Sequence, residues 1–172
     1  GKVWGAVTKT KGDISYPAGF EGCWDVRGRL ETLETPLGLE VVPDAKQIER
    51  ARREDLGQTL AYQQCFRTNA EGAVVADRAR NTLLLAEAMA GPIPGAELDW
   101  DIDRPNKLKV RLPGSTSYTV TVTKRFEGDV DEEAQRLSTS EFFEQVADVP
   151  GRNTPAVKAS RLLTKWKWRD QA

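Results

Sequence analysis

"PAGFEGCWDV", residues 17–26, opens the first run of the chain with a sustained two-residue period. From Gly22 onward, Trp24, Val26, Gly28 and Leu30 fall on one side. Cys23, Asp25, Arg27, Arg29 and Glu31 fall on the other. Strict alternation of this kind marks a strand with one face buried and one in water. A Trp at the entrance of such a strand either plugs the floor of a packed barrel or forms the wall of a binding cavity. The neighbouring Cys23 is a third candidate for the reason behind the stretch.

Outward from this strand, residues 1–21 show no sustained period and read as an extended arm, leaving 22–172 as a single domain. On the other side, "PLGLEVVPD" carries the chain out. Asp44, with Gln47 three residues on, is expected to cap a charged outer helix that Gly57 closes. "TLAYQQCFRT" is the second strand, with Leu60, Tyr62, Gln64 and Phe66 on one side. The turn "NAEG" leads into "AVVADRARN", expected as a third strand, and "LLLAEAMAG" reads as a short helix or loop wall.

The stretch "ELDWDIDRPNKLKVRLPG", residues 97–114, predicts a hairpin folded about Pro105. That fold would pair Asp103 with Lys107, Asp101 with Lys109 and Asp99 with Arg111 on one face. On the other it would pair Ile102 with Leu108, Trp100 with Val110 and Leu98 with Leu112. "SYTVTVTKRF" follows as a strand with Tyr118, Val120, Val122 and Phe126 inward, then an acidic loop at 127–135, then two final strands ending in a Trp-rich run. About eight short antiparallel strands with one or two short helices predict an all-β fold, either a sandwich or a closed up-and-down barrel.

Composition narrows the chemistry. Lys and Arg total 25 against 26 Asp and Glu, a net charge of -1, which argues against a nucleic-acid partner. There is no His, which removes Ser-His-Asp and Cys-His machinery and most zinc sites. No glycine-rich phosphate loop occurs, so the expectation is a non-enzyme with no cofactor and no metal. No apolar window is long enough for a membrane span. Gly1 at the start, with Met89 as the only Met, leads to the expectation of a processed product.

Gly22-Cys23-Trp24 at the start of an eight-stranded antiparallel series resembles the lipocalin signature. The longer pattern, "YPAGFEGCWDVRGRLETLETPLGLEVVPD", then "VVADRARNT" and the Trp-rich last strand, is similar to a lipocalin-like family of oxygenic phototrophs. The resemblance covers residues 13 to 169. It implies a lipocalin-like barrel, the chloroplast thylakoid lumen, and a role with photosystem II lumenal subunits. It also implies that Trp24 lies across the closed end of the barrel near a basic residue, Arg161 or Lys165. It implies no catalytic residues.

Within that picture Cys23 and Cys65 fall on the outer face at one height, either as a disulfide in an oxidising compartment or as two unlinked small side chains. Trp24, Tyr62, Trp100, Tyr118, Phe126 and Trp166 would point inward, as core or as the lining of a cavity. Asp77 and Arg78, adjacent on a strand, would send one charge inside, to an ion pair or a ligand. The leading functional expectation is a non-catalytic protein that binds photosystem II, as an assembly or repair factor, through its outer surface. The regions 1–21, 43–57 and 127–135 are its candidate contacts. The alternative is a carrier or scavenger of a small apolar pigment, quinone or lipid.

Overall fold

The computed structural model of the chain describes residues 8–9, 12–36, 45–114 and 116–170. The strands are β1 (Thr8–Lys9), β2 (Gly22–Arg29), β3 (Thr59–Thr68), β4 (Val74–Ala76), β5 (Glu97–Asp101), β6 (Arg104–Arg111), β7 (Ser117–Asp131), β8 (Arg136–Asp148) and β9 (Ala156–Lys167). Helix α1 (Ala45–Glu54) separates β2 from β3, and α2 (Arg78–Ala90) separates β4 from β5. The fold is mostly β, as expected. Its strands form two antiparallel sheets, one ordered β5-β6-β7-β8-β9 with β1 beside β7, the other β2-β3-β4. Among the described residues no ladder joins the two sheets.

The segment 12–20, expected as part of an outlying arm, is built into the interior. Ile14 and Phe20 are buried, and the Tyr16 amide bonds the Val74 carbonyl at 2.8 Å. Ile14, Tyr16, Ala18 and Phe20 fall at every second position, an alternation too short to stand out beside the Lys- and Gly-rich residues before it. Phe20 packs with Phe66, Val74 and Leu137, and Tyr16, Trp24, Trp166 and Trp168 close around this group. The core therefore sits where the N-terminal segment, the smaller sheet and the end of β9 meet.

The expected strand over 73–81 stops at Ala76. The Asp77 carboxylate accepts from the Arg80 amide at 3.1 Å, and this cap starts α2. The helix runs through the Leu-rich stretch to Gly91, which ends it at φ 84. The Asp44 cap and the "LGLEVVPD" stretch lie outside the described residues, whereas α1 itself forms and Gly57 follows it at φ 80.

The β5–β6 hairpin forms in a different register. Leu98 faces Val110, Asp99 faces Lys109 and Glu97 faces Arg111, two residues away from the expected pairing. The turn falls at Ile102–Asp103, ahead of Pro105. There the Asp101 carboxylate accepts from the Asp103 amide at 2.9 Å and pairs with Arg104 at 3.0 Å. A shift of two preserves the faces, so apolar residues still oppose apolar ones. Pro105 sits where β6 bulges and needs no N–H.

The acidic stretch 127–135 is largely strand. β7 runs to Asp131, and a short turn ending at Gln135, φ 53, leads into β8. Gly128 lies at a bulge in this ladder, where a Cβ would come within 2.0 Å of Ser138 Oγ and 2.6 Å of the Ser138 carbonyl. Only glycine permits that approach.

Candidate functional site

Arg78 and Asp77 do not alternate across a strand; they begin a helix. Asp77 caps it, while Arg78 reaches into the seam between the segment 12–16 and β8. Its guanidinium bonds both oxygens of Glu141, at 2.9 and 3.0 Å, and both oxygens of Asp13, at 2.5 and 3.2 Å. Arg125 lies beside them, 4% exposed, with Nη1 donating to the Gly12 carbonyl. Its Nε is 3.7 Å from Glu141 and its Nη2 is 3.9 Å from Asp13, and neither nitrogen has a hydrogen-bond partner.

Two cations and two carboxylates make this cluster neutral. Burial pulls the Arg78 pKa down, but the hydrogen bonds and charges of Asp13 and Glu141 outweigh it, so the net displacement is upward. For Arg125 burial wins: with the charge of Arg78 added, it exceeds the pull of the two carboxylates and lowers the pKa. Tyr16 is held well above its ordinary value, chiefly by burial. Mutual compensation at these distances describes a structural ion cluster tying three distant stretches of chain.

Arg125 was not legible as a buried charge. The extended pattern puts Phe126 inward with Val122, but a bulge between Val122 and Lys124 reverses the faces. Arg125 then pairs with Glu141 on the buried side, and Phe126 stacks edge-on against Phe142 at 6.2 Å.

Cys23 and Cys65 are direct cross-strand partners, and a disulfide joins them. Cys65 is 2% exposed because α2 covers it. Its amide donates to Asn81 Oδ1 at 2.7 Å, and its carbonyl accepts from Asn81 Nδ2 at 3.0 Å and from the Asp77 amide at 2.9 Å. With those groups turned away from β2, the two cysteines form the narrow kind of antiparallel pair, Cα to Cα 4.0 Å. Cys23 itself is exposed. A cavity of about 400 Å³ opens beside the disulfide, lined in part by Glu21, Arg67, Asp77 and Arg80.

The six aromatics expected to share an interior separate into groups. Trp24 and Trp166 both join the core cluster, Trp24 donating to the Phe20 carbonyl at 2.7 Å. Tyr62 covers Gly28, where a Cβ would be 3.0 Å from its ring. Trp100 donates to the Pro105 carbonyl at 3.2 Å, and Tyr118 stands between Val110 and Ala147 in the large sheet. Tyr16, Phe20, Phe66 and Trp168 complete the cluster; Phe66 and Trp168 continue the alternation of their strands, whereas Tyr16 and Phe20 lie in the segment expected as an arm. Neither basic residue expected at Trp24 is there in that role: Arg161 lies over the Phe142 ring at 5.3 Å, and Lys165 is exposed.

The end strand β9 pairs only with β8 among the described residues, so its other edge is open. At its middle the consecutive Leu162 and Leu163, on opposite faces, are 54% and 48% exposed. The strand carries Lys158, Arg161, Lys165 and Lys167 and no acidic residue.

No curated protein and no solved structure matches this chain. One protein family does, over residues 8–172, described as a domain of unknown function, DUF6816. With nearly the whole sequence matched, the chain belongs to the DUF6816 family.

Proposed function

We propose that this chain is a non-catalytic auxiliary protein that binds photosystem II in the chloroplast thylakoid lumen, as an assembly or repair factor, through its outer surface. The binding part rests on one observation: among the described residues β9 offers an unpaired edge with apolar side chains exposed on both faces. Long open edges are ordinarily covered or blunted in proteins that act alone. The compartment and the partner come from the sequence resemblance, and a disulfide between Cys23 and Cys65 agrees with an oxidising location.

The finer fold reading, a lipocalin-like eight-stranded up-and-down barrel, belongs to the same proposal. Strands β2 to β9 number eight, and Trp24 from β2 and Trp166 from β9 pack in one cluster, which draws the first and last of them together while no ladder joins them among the described residues. The carrier reading is less favoured. Ring centroids of 4.8 to 6.4 Å join Tyr16, Phe20, Phe66 and Trp166 to one another, which is how aromatics fill space.

Native gels of solubilised thylakoids provide the test. Co-migration of the protein with photosystem II intermediates is expected, and migration only as the free protein would overturn the reading. A bound chromophore or lipid, seen by absorbance and native mass on the purified protein, would transfer support to the carrier.

A further inference from the structure

We propose that the open edge of β9 takes up an acidic, extended segment of a partner protein as an added strand. This rests on the reading of the chain as a binding protein and names the surface and the chemistry of what it binds.

Three observations converge on the occupant. Among the described residues the edge is free along Ala156–Lys167, and its main-chain groups are placed to pair with an added strand. Leu162 and Leu163 stand exposed on its two faces, so an added strand would cover apolar surface above and below the sheet. Charge then selects the partner. Lys158, Arg161, Lys165 and Lys167 take part in no ion pair among the described residues, although the chain as a whole carries a net charge of -1. Arg161 is oriented by Ser140 Oγ at 3.0 Å and by the Phe142 ring, and this leaves its charge uncompensated.

The same cations argue against a second copy of the chain. A two-fold pairing centred on Leu163 would set Arg161 opposite Lys165 of the second copy, and like charges facing across a ladder destabilise it. Lysines on an edge guard it against its own kind. Against an acidic strand they attract.

The probe is a capped peptide alternating Glu with Val and Thr, titrated against the full chain by fluorescence or calorimetry, beside a control with Lys in place of Glu. Saturable binding of the acidic peptide is expected, weakening severalfold as salt rises, with none of the basic one. Of two acidic peptides N-methylated at odd or at even residues, one should lose binding and the other keep it, because only alternate amides face a neighbouring strand. Lys165→Glu with Lys167→Glu, both on exposed side chains, brings the charge of the strand to zero and should abolish the preference for the acidic peptide while leaving the thermal midpoint in place.

No binding, equal binding of both peptides, equal sensitivity of both N-methylated forms, or concentration-dependent dimers of the chain alone would each overturn the proposal. In the native gel the two ideas separate. Should the double variant co-migrate as the unaltered protein does, β9 is not the contact and the broader reading stands. Failure of both to co-migrate removes the broader reading, and the peptide titration still decides the edge.

Discussion

A single guanidinium, that of Arg78, meets four carboxylate oxygens from two residues that are far apart in sequence. Removing it leaves Asp13 and Glu141 with Arg125 alone, whose Nε and Nη2 sit too far away to bond them. Arg78→Met should therefore cost about 3–5 kcal/mol in urea unfolding, the range for breaking one side of a buried ion cluster. Tyr16 supplies a pH signature. Its buried hydroxyl has a raised pKa, so above about pH 10 the unfolded chain gives up this proton while the folded one keeps it. Stability present below that pH is lost as pH rises. Relative to Tyr16→Phe, the unaltered protein should lose up to about 1.4 kcal/mol more per pH unit there, measured by unfolding at a series of alkaline pH values. Asp77 and Arg78 could be singled out from sequence because charges amid an apolar run need partners. Asp13 and Glu141 could not, since nothing local distinguishes them from other carboxylates.

At the scale of elements, strand existence followed from alternation, whereas the places where elements bend did not. The Val122/Lys124 bulge turns Arg125 inward and Phe126 away, and no residue type in "TVTKRF" announces an extra residue. The hairpin of Glu97–Arg111 held its faces but moved its turn, because the Asp101 carboxylate bonds the Asp103 amide and fixes the chain reversal ahead of Pro105. The β4-to-α2 switch was readable in principle, as Asp77 caps a segment that Gly91 closes, although the "VVA" before it looks like the start of a longer strand. Glycines in strands offer a direct test. Gly128→Ala should destabilise by about 1–3 kcal/mol, since its Cβ would strike Ser138 backbone, and Gly28→Ala by less, because only the Tyr62 ring must yield. Thermal denaturation of the two variants side by side decides it.

For the molecule as a whole, the β class and antiparallel pairing were legible because Val, Thr and aromatic alternation repeats through most of the chain. The division into two sheets was not, since it comes from consecutive strands β4 and β5 failing to pair across α2, which leaves no local trace. The placement of Cys23 opposite Cys65 did follow from parity, because both flank an inward residue on neighbouring strands. Their disulfide spans 42 residues. In the chain-entropy description its loss releases about 4 kcal/mol of constraint on the unfolded state. Unfolding with and without reductant should differ by up to that amount, and Cys23→Ser should behave like the reduced protein.

Phe20 is capped by Trp168 at 5.0 Å, and Tyr16 meets Trp166 at 6.4 Å, so the earliest core residues are sealed by almost the last. A chain emerging from a ribosome or a translocation pore would have to hold those rings uncovered until the final strand arrived. Such late, distant contacts belong to the downhill side of the folding barrier. Trp168→Ala should accordingly hasten unfolding in stopped-flow experiments while refolding proceeds at close to its usual pace.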